Sequence, residues 1–220
     1  MACRWVVFDA KGVLYQHGFD VDELLIPYAR HRGSIMPAEG IRDVYLQASV
    51  GAITSAQLWN QLGIPVGGSD QDYCRRHAVT DGLRDFLATQ RTVRLACLSN
   101  DISEWSTLLR RSFEIEDAFE TWVVSGDVGL RKPDPRIYAL LARRLGADGS
   151  EILFVDDRPV NLDAAAKRGW TTVRFGARCS NHRSAESFDE LRPLLETASS
   201  KQSRRLDQLF AVPPMDDGRV

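Results

Sequence analysis

Short runs of apolar and β-branched residues recur along the chain at Trp5–Phe8, Val93–Leu98, Thr121–Val124, Ile152–Val155 and Thr171–Phe175. Each is too short for a helix and lacks the strict alternation of a strand with one wet face, which predicts strands buried on both faces. Helical spacing fills most of the gaps: Leu83, Phe86, Leu87; then Trp105, Leu108, Leu109; then Ile137, Leu140, Leu141 and Leu145, closed by Gly146 as a C-cap. Strands that alternate with helices imply an α/β protein with a parallel sheet.

The interval from about Gly18 to Thr80 breaks this rhythm, holding successive helical patterns with no strand between them. It reads as an inserted helical subdomain. Asp20 with Glu23 resembles a capping box ahead of Val21, Leu24, Leu25 and Tyr28, and Thr54 with Gln57 repeats the device ahead of Leu58 and Leu62. Ile41, Val44, Tyr45 and Ala48 supply another apolar face, and these stripes, Trp59 included, are expected to be helix packing. After Phe175 a last helix is expected around Leu191, Leu194 and Leu195, and residues 199–220 turn polar and then proline-rich, as in a tail.

Composition adds exclusions. With 44% hydrophobic and 26% charged residues and a net charge of −2, the 220-residue chain has the balance of an ordinary globular protein. Its basic residues are scattered, apart from pairs such as Arg143-Arg144 and Arg204-Arg205, so nucleic acid is not expected as a partner. The apolar run that starts at Trp5 stops at Asp9, too soon for a signal core or a membrane span, and a cytoplasmic location without membrane association is expected. Cys3, Cys74, Cys97 and Cys179 lie too far apart for a CxxC metal site and read as reduced thiols, Cys97 in a buried strand.

The candidate chemistry sits where the strands end. Asp9 follows the first strand within Phe8-Asp9-Ala10-Lys11-Gly12, and the next three strands lead into Leu98-Ser99-Asn100-Asp101, Lys132-Pro133-Asp134-Pro135 and Val155-Asp156-Asp157-Arg158. In a parallel sheet all four clusters face one crevice. In order and spacing they resemble the four motifs of the haloacid dehalogenase superfamily, over roughly residues 4 to 176, most closely the branch with a helical cap inserted after the first strand. The resemblance implies a Rossmann-like core, residues 1–17 and 81–198, closed by a cap at 18–80. It implies a hydrolase, favouring a Mg²⁺-dependent phosphatase for a small phosphorylated molecule. Asp9 would be the nucleophile, Ser99 and the amides near Asn100 would hold phosphoryl oxygens, and Lys132 would neutralise charge. Asp9, the backbone carbonyl of Lys11, Asp156 and Asp157 would supply an oxygen-rich Mg²⁺ site, with the direct ligand of the two adjacent acids left open.

Lys11 departs from that pattern. The resemblance puts a second Asp there, the acid that protonates the leaving group, and lysine titrates near 10.4, too high to serve. Asp9, Asp156 and Asp157 are expected to hold Lys11 charged, and those three acids against Lys11 and Lys132 leave a bare site with one net negative charge. A slow phosphatase, or one restricted to acyl, enol or aryl phosphates, follows, and exchange of Lys11 for Asp is expected to raise turnover of alkyl phosphates. Two alternatives stay open: displacement of halide from a 2-haloacid, which needs neither metal nor proton donor, and a binding protein on a degraded enzyme scaffold. Substrate identity and oligomeric state are not legible.

Overall fold

The computed structural model describes residues 3–91, 93–176 and 182–197. Six strands, β1 (Trp5–Phe8), β2 (Arg94–Ser99), β3 (Thr121–Val124), β4 (Ile152–Asp156), β5 (Thr171–Phe175) and β6 (Arg183–Ala185), form one parallel sheet in the order β3-β2-β1-β4-β5-β6. The five expected strands are present. The sixth, Arg-Ser-Ala, has no apolar run to betray it and owes its place to pairing with β5 in the register Val173 to Arg183.

The apolar runs form strands because both sheet faces are covered. On β1 every residue is buried, Val6 and Phe8 facing one hydrophobic cluster and Trp5 and Val7 the other. The second cluster is closed by α8 (Pro135–Leu145), which follows the short α7 (Ser125–Val128), starts at the Asp134 cap with Pro135 in its first turn and stops at Gly146 in the left-handed conformation. The first is closed by α5 (Leu83–Thr89), α6 (Ser103–Ser112) and the helix at 188–197, which buries Leu191 and Leu195.

Between β1 and α5 the chain is helical, with a π-helical turn (Val21–Leu25) running into α1 (Ile26–His31), then α2 (Ala38–Ala48), α3 (Ser55–Gln61) and α4 (Ser69–Cys74). The outgoing and returning chains run side by side, Gln16 N–H donating to Ala78 O and Thr80 N–H to Leu14 O. Ile41, Val44, Tyr45 and Ala48 are buried as expected, and Thr54 forms its capping box with Gln57. Asp20 does not cap its helix with its side chain, which is turned elsewhere. The helical segment is fixed to α6 through Asp70, whose Oδ1 accepts from Trp59 Nε1 at 2.7 Å and from Trp105 Nε1 at 2.6 Å, so Trp59 both packs and hydrogen-bonds.

No helix among the described residues is long and apolar enough to cross a membrane. Cys3, Cys74 and Cys97 are free, Cys97 fully buried in β2, whereas Cys179 and the 199–220 tail lie outside the described residues.

Candidate active site

β1 lies at the centre of the sheet, with β2 and β3 to one side and β4 to β6 to the other, so the order reverses at its carboxyl end. Such a switch point opens a crevice. Phe8 is level with Val155 of β4, and Asp9 N–H donates to Val155 O at 2.8 Å, which sets Asp9 beside Asp156 by backbone geometry alone.

Lys132 reaches in from the loop before α8 and joins the two acids. Its Nζ lies 2.7 Å from Asp9 Oδ1 and 2.8 Å from Asp156 Oδ2. Asn100 fixes the backbone that carries it, donating to Lys132 O at 2.9 Å and accepting from Lys132 N–H at 2.8 Å. The Asn100 carboxamide therefore acts as a clamp on Lys132. Burial would pull the Lys132 pKa down, but Asp156 and Asp9 outweigh it and raise it above the ordinary lysine value. For Asp9, burial raises the pKa well above the usual range, Lys132 opposes, and Asp156 and Asp157 add to the rise.

The two adjacent acids differ. Asp156 is fully buried and saturated, accepting from Lys132, from Arg158 N–H at 2.8 Å and from Asn161 Nδ2 at 3.0 Å on both oxygens. Asp157 Oδ1 is buried with no hydrogen-bond partner among the described residues, and burial followed by Asp156 lifts its pKa to about 6. Its Oδ2 lies against Gly12, where a Cβ would come within 2.5 Å, and Gly12 itself sits at φ 78°. Asp9, Asp156 and Asp157 each bring an oxygen within 4.8 Å of the others. An unpartnered buried carboxylate oxygen beside two more carboxylates fits a hard divalent cation such as Mg²⁺.

Ser99 ends β2, is fully buried, and its Oγ has no partner among the described residues. Asp9, Lys11, Asn100 and Lys132 line a cavity of about 300 Å³ roofed by the helical segment through Phe19, Asp20, Asp22, Arg42, Tyr45 and Leu46.

Lys11 belongs to a second cluster, which corrects the expectation that Asp9, Asp156 and Asp157 hold its charge. Its Nζ lies 2.8 Å from Asp101 Oδ1, pairs with Asp20 Oδ2 and donates to Tyr45 OH at 3.4 Å. Burial would lower the Lys11 pKa, but Asp101 and then Asp20 reverse this and leave it well above the ordinary value. Tyr73 OH also donates to Asp20 at 3.3 Å. The ammonium thus ties the sheet side, at Asp101, to the helical segment, at Asp20. The charge count changes as well: among the described residues Asp9, Asp156 and Asp157 have only Lys132 at ion-pair distance, two formal negative charges, which Mg²⁺ would cancel without excess. Exchange of Lys11 for Asp would set three carboxylates together, so the expected gain in turnover does not follow.

Asp20, Asp101, Asn161, Arg131 and Arg158 were not singled out from the sequence. Asp101 lies in the polar cluster that ends the second strand, and a lysine at position 11 is itself the signal that a buried acid must answer it. Asp20 offered only the appearance of a helix cap.

The haloacid dehalogenase-like hydrolase family matches residues 3–169. Among curated proteins, (S)-2-haloacid dehalogenase 4A of Burkholderia cepacia is 32% identical over 81 residues, 37% of this chain and 35% of that protein. Enolase-phosphatase E1 of Methylococcus capsulatus is 40% identical over 68 residues, 29% of this chain and 30% of that protein. These matches span about a third of either relative. Among solved structures, a magnesium complex of an enzyme of this superfamily from Bacteroides thetaiotaomicron superposes with a TM-score of 0.68 at 22% identity, covering 79% of this chain and 93% of that one. L-2-haloacid dehalogenase from Xanthobacter autotrophicus, with chloropropionic acid covalently bound, gives 0.63 at 19% identity, over 88% and 98%. With a nucleophile candidate at the switch point, a buried lysine across it and a family match over most of its length, the chain belongs to the haloacid dehalogenase-like hydrolases.

Proposed function

We propose that the protein is a Mg²⁺-dependent phosphatase for small molecules, with the helices of 18–80 acting as a cap and Asp9 as the nucleophile. The observation that carries this reading is the convergence of Asp9, Asp156 and Asp157 with Asp157 Oδ1 unpartnered. A haloacid carboxylate has no use for three acids, which would repel it, whereas a phosphatase needs them to hold a cation. Asp9, Asp157 and Asp156, with the Lys11 carbonyl, would hold Mg²⁺, which when bound supplies charge neutralisation for an incoming phosphoryl group.

In the proposed reaction a carboxylate oxygen of Asp9 attacks phosphorus and the ester bond breaks, its electron pair leaving with the alcohol or acid. Lys132 holds Asp9 in place and offsets charge on the transferred group, while the Ser99 hydroxyl and the amides near Asn100 receive phosphoryl oxygens. Water then hydrolyses the aspartyl-phosphate, returning Asp9 and releasing phosphate. Lys11 gives no proton, because Asp20 and Asp101 keep it charged, so substrates with leaving groups that need none, such as acyl, enol and aryl phosphates, are the ones this site suits.

The deciding measurement is turnover of p-nitrophenyl phosphate, acetyl phosphate, glycerol phosphate and 2-chloropropionate with Mg²⁺ and with chelator. Hydrolysis of the first two that chelator abolishes, with little of the third, is expected. Chloride release that survives chelator would replace the reading with the dehalogenase one, and inactivity on all four would leave a binding protein.

A further inference from the structure

Two guanidinium groups in the lining of the cavity over Asp9 have no acid of their own at ion-pair distance among the described residues. Its lining includes five cations, Lys11, Arg42, Arg131, Lys132 and Arg158, and three acids, Asp9, Asp20 and Asp22. Three cations are committed: Lys132 to Asp9 and Asp156, Lys11 to Asp20 and Asp101, and Arg42 to Asp22. Arg131 and Arg158 have no carboxylate at ion-pair distance among the described residues. Arg131 instead donates to the Ser49 hydroxyl and stands 5.9 Å from the centre of the Tyr45 ring. Arg158 donates to Gly18 O at 2.8 Å and stands 4.9 Å from the Phe19 ring. Both arise from the sheet side, next to Lys132 and Asp157, and reach across to the helical segment. The two guanidinium groups are thus held by neutral partners at the cavity wall, with donors to spare. With Mg²⁺ held, the first cluster would be formally neutral, and these two guanidinium groups are the cations of the lining left to pair with an incoming anion.

We propose that Arg131 and Arg158 form an anion subsite, so that the substrate carries a second anionic group, a carboxylate, besides the phosphoryl group set on Asp9. A planar guanidinium matches a carboxylate with two parallel hydrogen bonds, and the cavity of about 300 Å³ limits the substrate to a small molecule. Exposed Phe19, Leu46 and Val160 at the same cavity give the carbon skeleton between its two charged ends an apolar surface.

This inference rests on the phosphatase reading for the identity of the first group, and binding separates the two. The probes are phenylphosphonate and 3-carboxyphenylphosphonate, which cannot be turned over, titrated by calorimetry into the full chain with Mg²⁺. The carboxylated probe should bind roughly tenfold more tightly, the effect of one charge-assisted contact. In Arg131→Gln that preference should shrink to about twofold, and in the Arg131→Gln, Arg158→Gln pair it should vanish. Equal affinities in the unaltered protein, or a preference that survives in the double variant, overturns the subsite. Should the unaltered protein prefer the carboxylated probe yet fail to hydrolyse phenyl phosphate, the phosphatase reading falls and the subsite stands.

Discussion

Two buried lysines, each gripped by two aspartates, lie in the lining of one cavity and do opposite work. Lys132 links Asp9 and Asp156, both at the ends of neighbouring strands, next to a third acid with an empty oxygen. Lys11 links Asp101, just past β2, to Asp20 in the helical segment, and Tyr45 and Tyr73 complete its surroundings. The first cluster is over-acidic and open to a divalent cation. The second holds two acids and one base between two parts of the chain, with aromatic rings packed around it, Tyr73 4.3 Å and Tyr45 6.2 Å from Trp105 between ring centres. The same three-charge arrangement therefore frames the proposed chemistry where its ends share one rigid sheet, and joins separate parts of the chain where its ends belong to different elements.

Asp9→Asn tests the first cluster most harshly. An amide is no nucleophile, and loss of a group that acts as a unit with its neighbours costs roughly 10⁴-fold or more in kcat, with circular dichroism unchanged. Residual turnover near the original rate would remove Asp9 from the mechanism.

The pair Lys132→Met and Lys11→Met separates the clusters. Lys132→Met should lower kcat about 10²–10³-fold, as expected for a charge-stabilising group, with part of the stability recovered on adding Mg²⁺. Lys11→Met strands Asp20 and Asp101, and breaking such a buried pair costs about 3–5 kcal/mol, read as a lower urea midpoint that Mg²⁺ does not restore. Lys11→Asp should be less stable still. Equal stability losses in the two methionine variants would erase the distinction.

Protons and metal are expected to compete at the first cluster. Asp157 titrates near 6 in the folded chain against about 3.9 unfolded, so its contribution to metal-free stability is full below about pH 3.9 and is lost as pH rises through 6. Mg²⁺ affinity runs the other way, strengthening over the same window because the ion needs the carboxylate. Calorimetric titration of Mg²⁺ at pH 5 and pH 7.5 should give the weaker binding at pH 5, and Asp157→Asn should narrow the difference.

The smallest effect belongs to a site remote from both clusters. Thr54→Ala removes a capping box at the start of α3 and should cost about 1 kcal/mol of stability with kcat unchanged. A loss of activity there would mean that the helices of 18–80 transmit more to the cavity than the Lys11 contacts explain.

The linear chain decided the sheet and the first cluster. Runs such as Trp5–Phe8 are strands because a parallel sheet buries both faces, and β1 and β4 lead directly into their acids while β3 leads to Lys132 through a longer loop, so Asp9, Lys132, Asp156 and Asp157 could be read as neighbours before any coordinate. Only β6 escaped, because its three residues owe their conformation to a neighbour's backbone. What Lys11 does was not legible, since an ammonium near several acids can choose any of them. The choice of Asp20 and Asp101 depends on where the helical segment folds back, and Asp20 looks locally like a cap for the helix behind it. Tertiary structure likewise decided that Asp156 is saturated while Asp157 is not, because the difference lies in Asn161, Lys132 and Gly12, brought together only when β1, β4 and the loop before α8 pack side by side. Periodicity fixes which residues face the crevice, but side chains from separate elements divide their hydrogen bonds only once those elements have met.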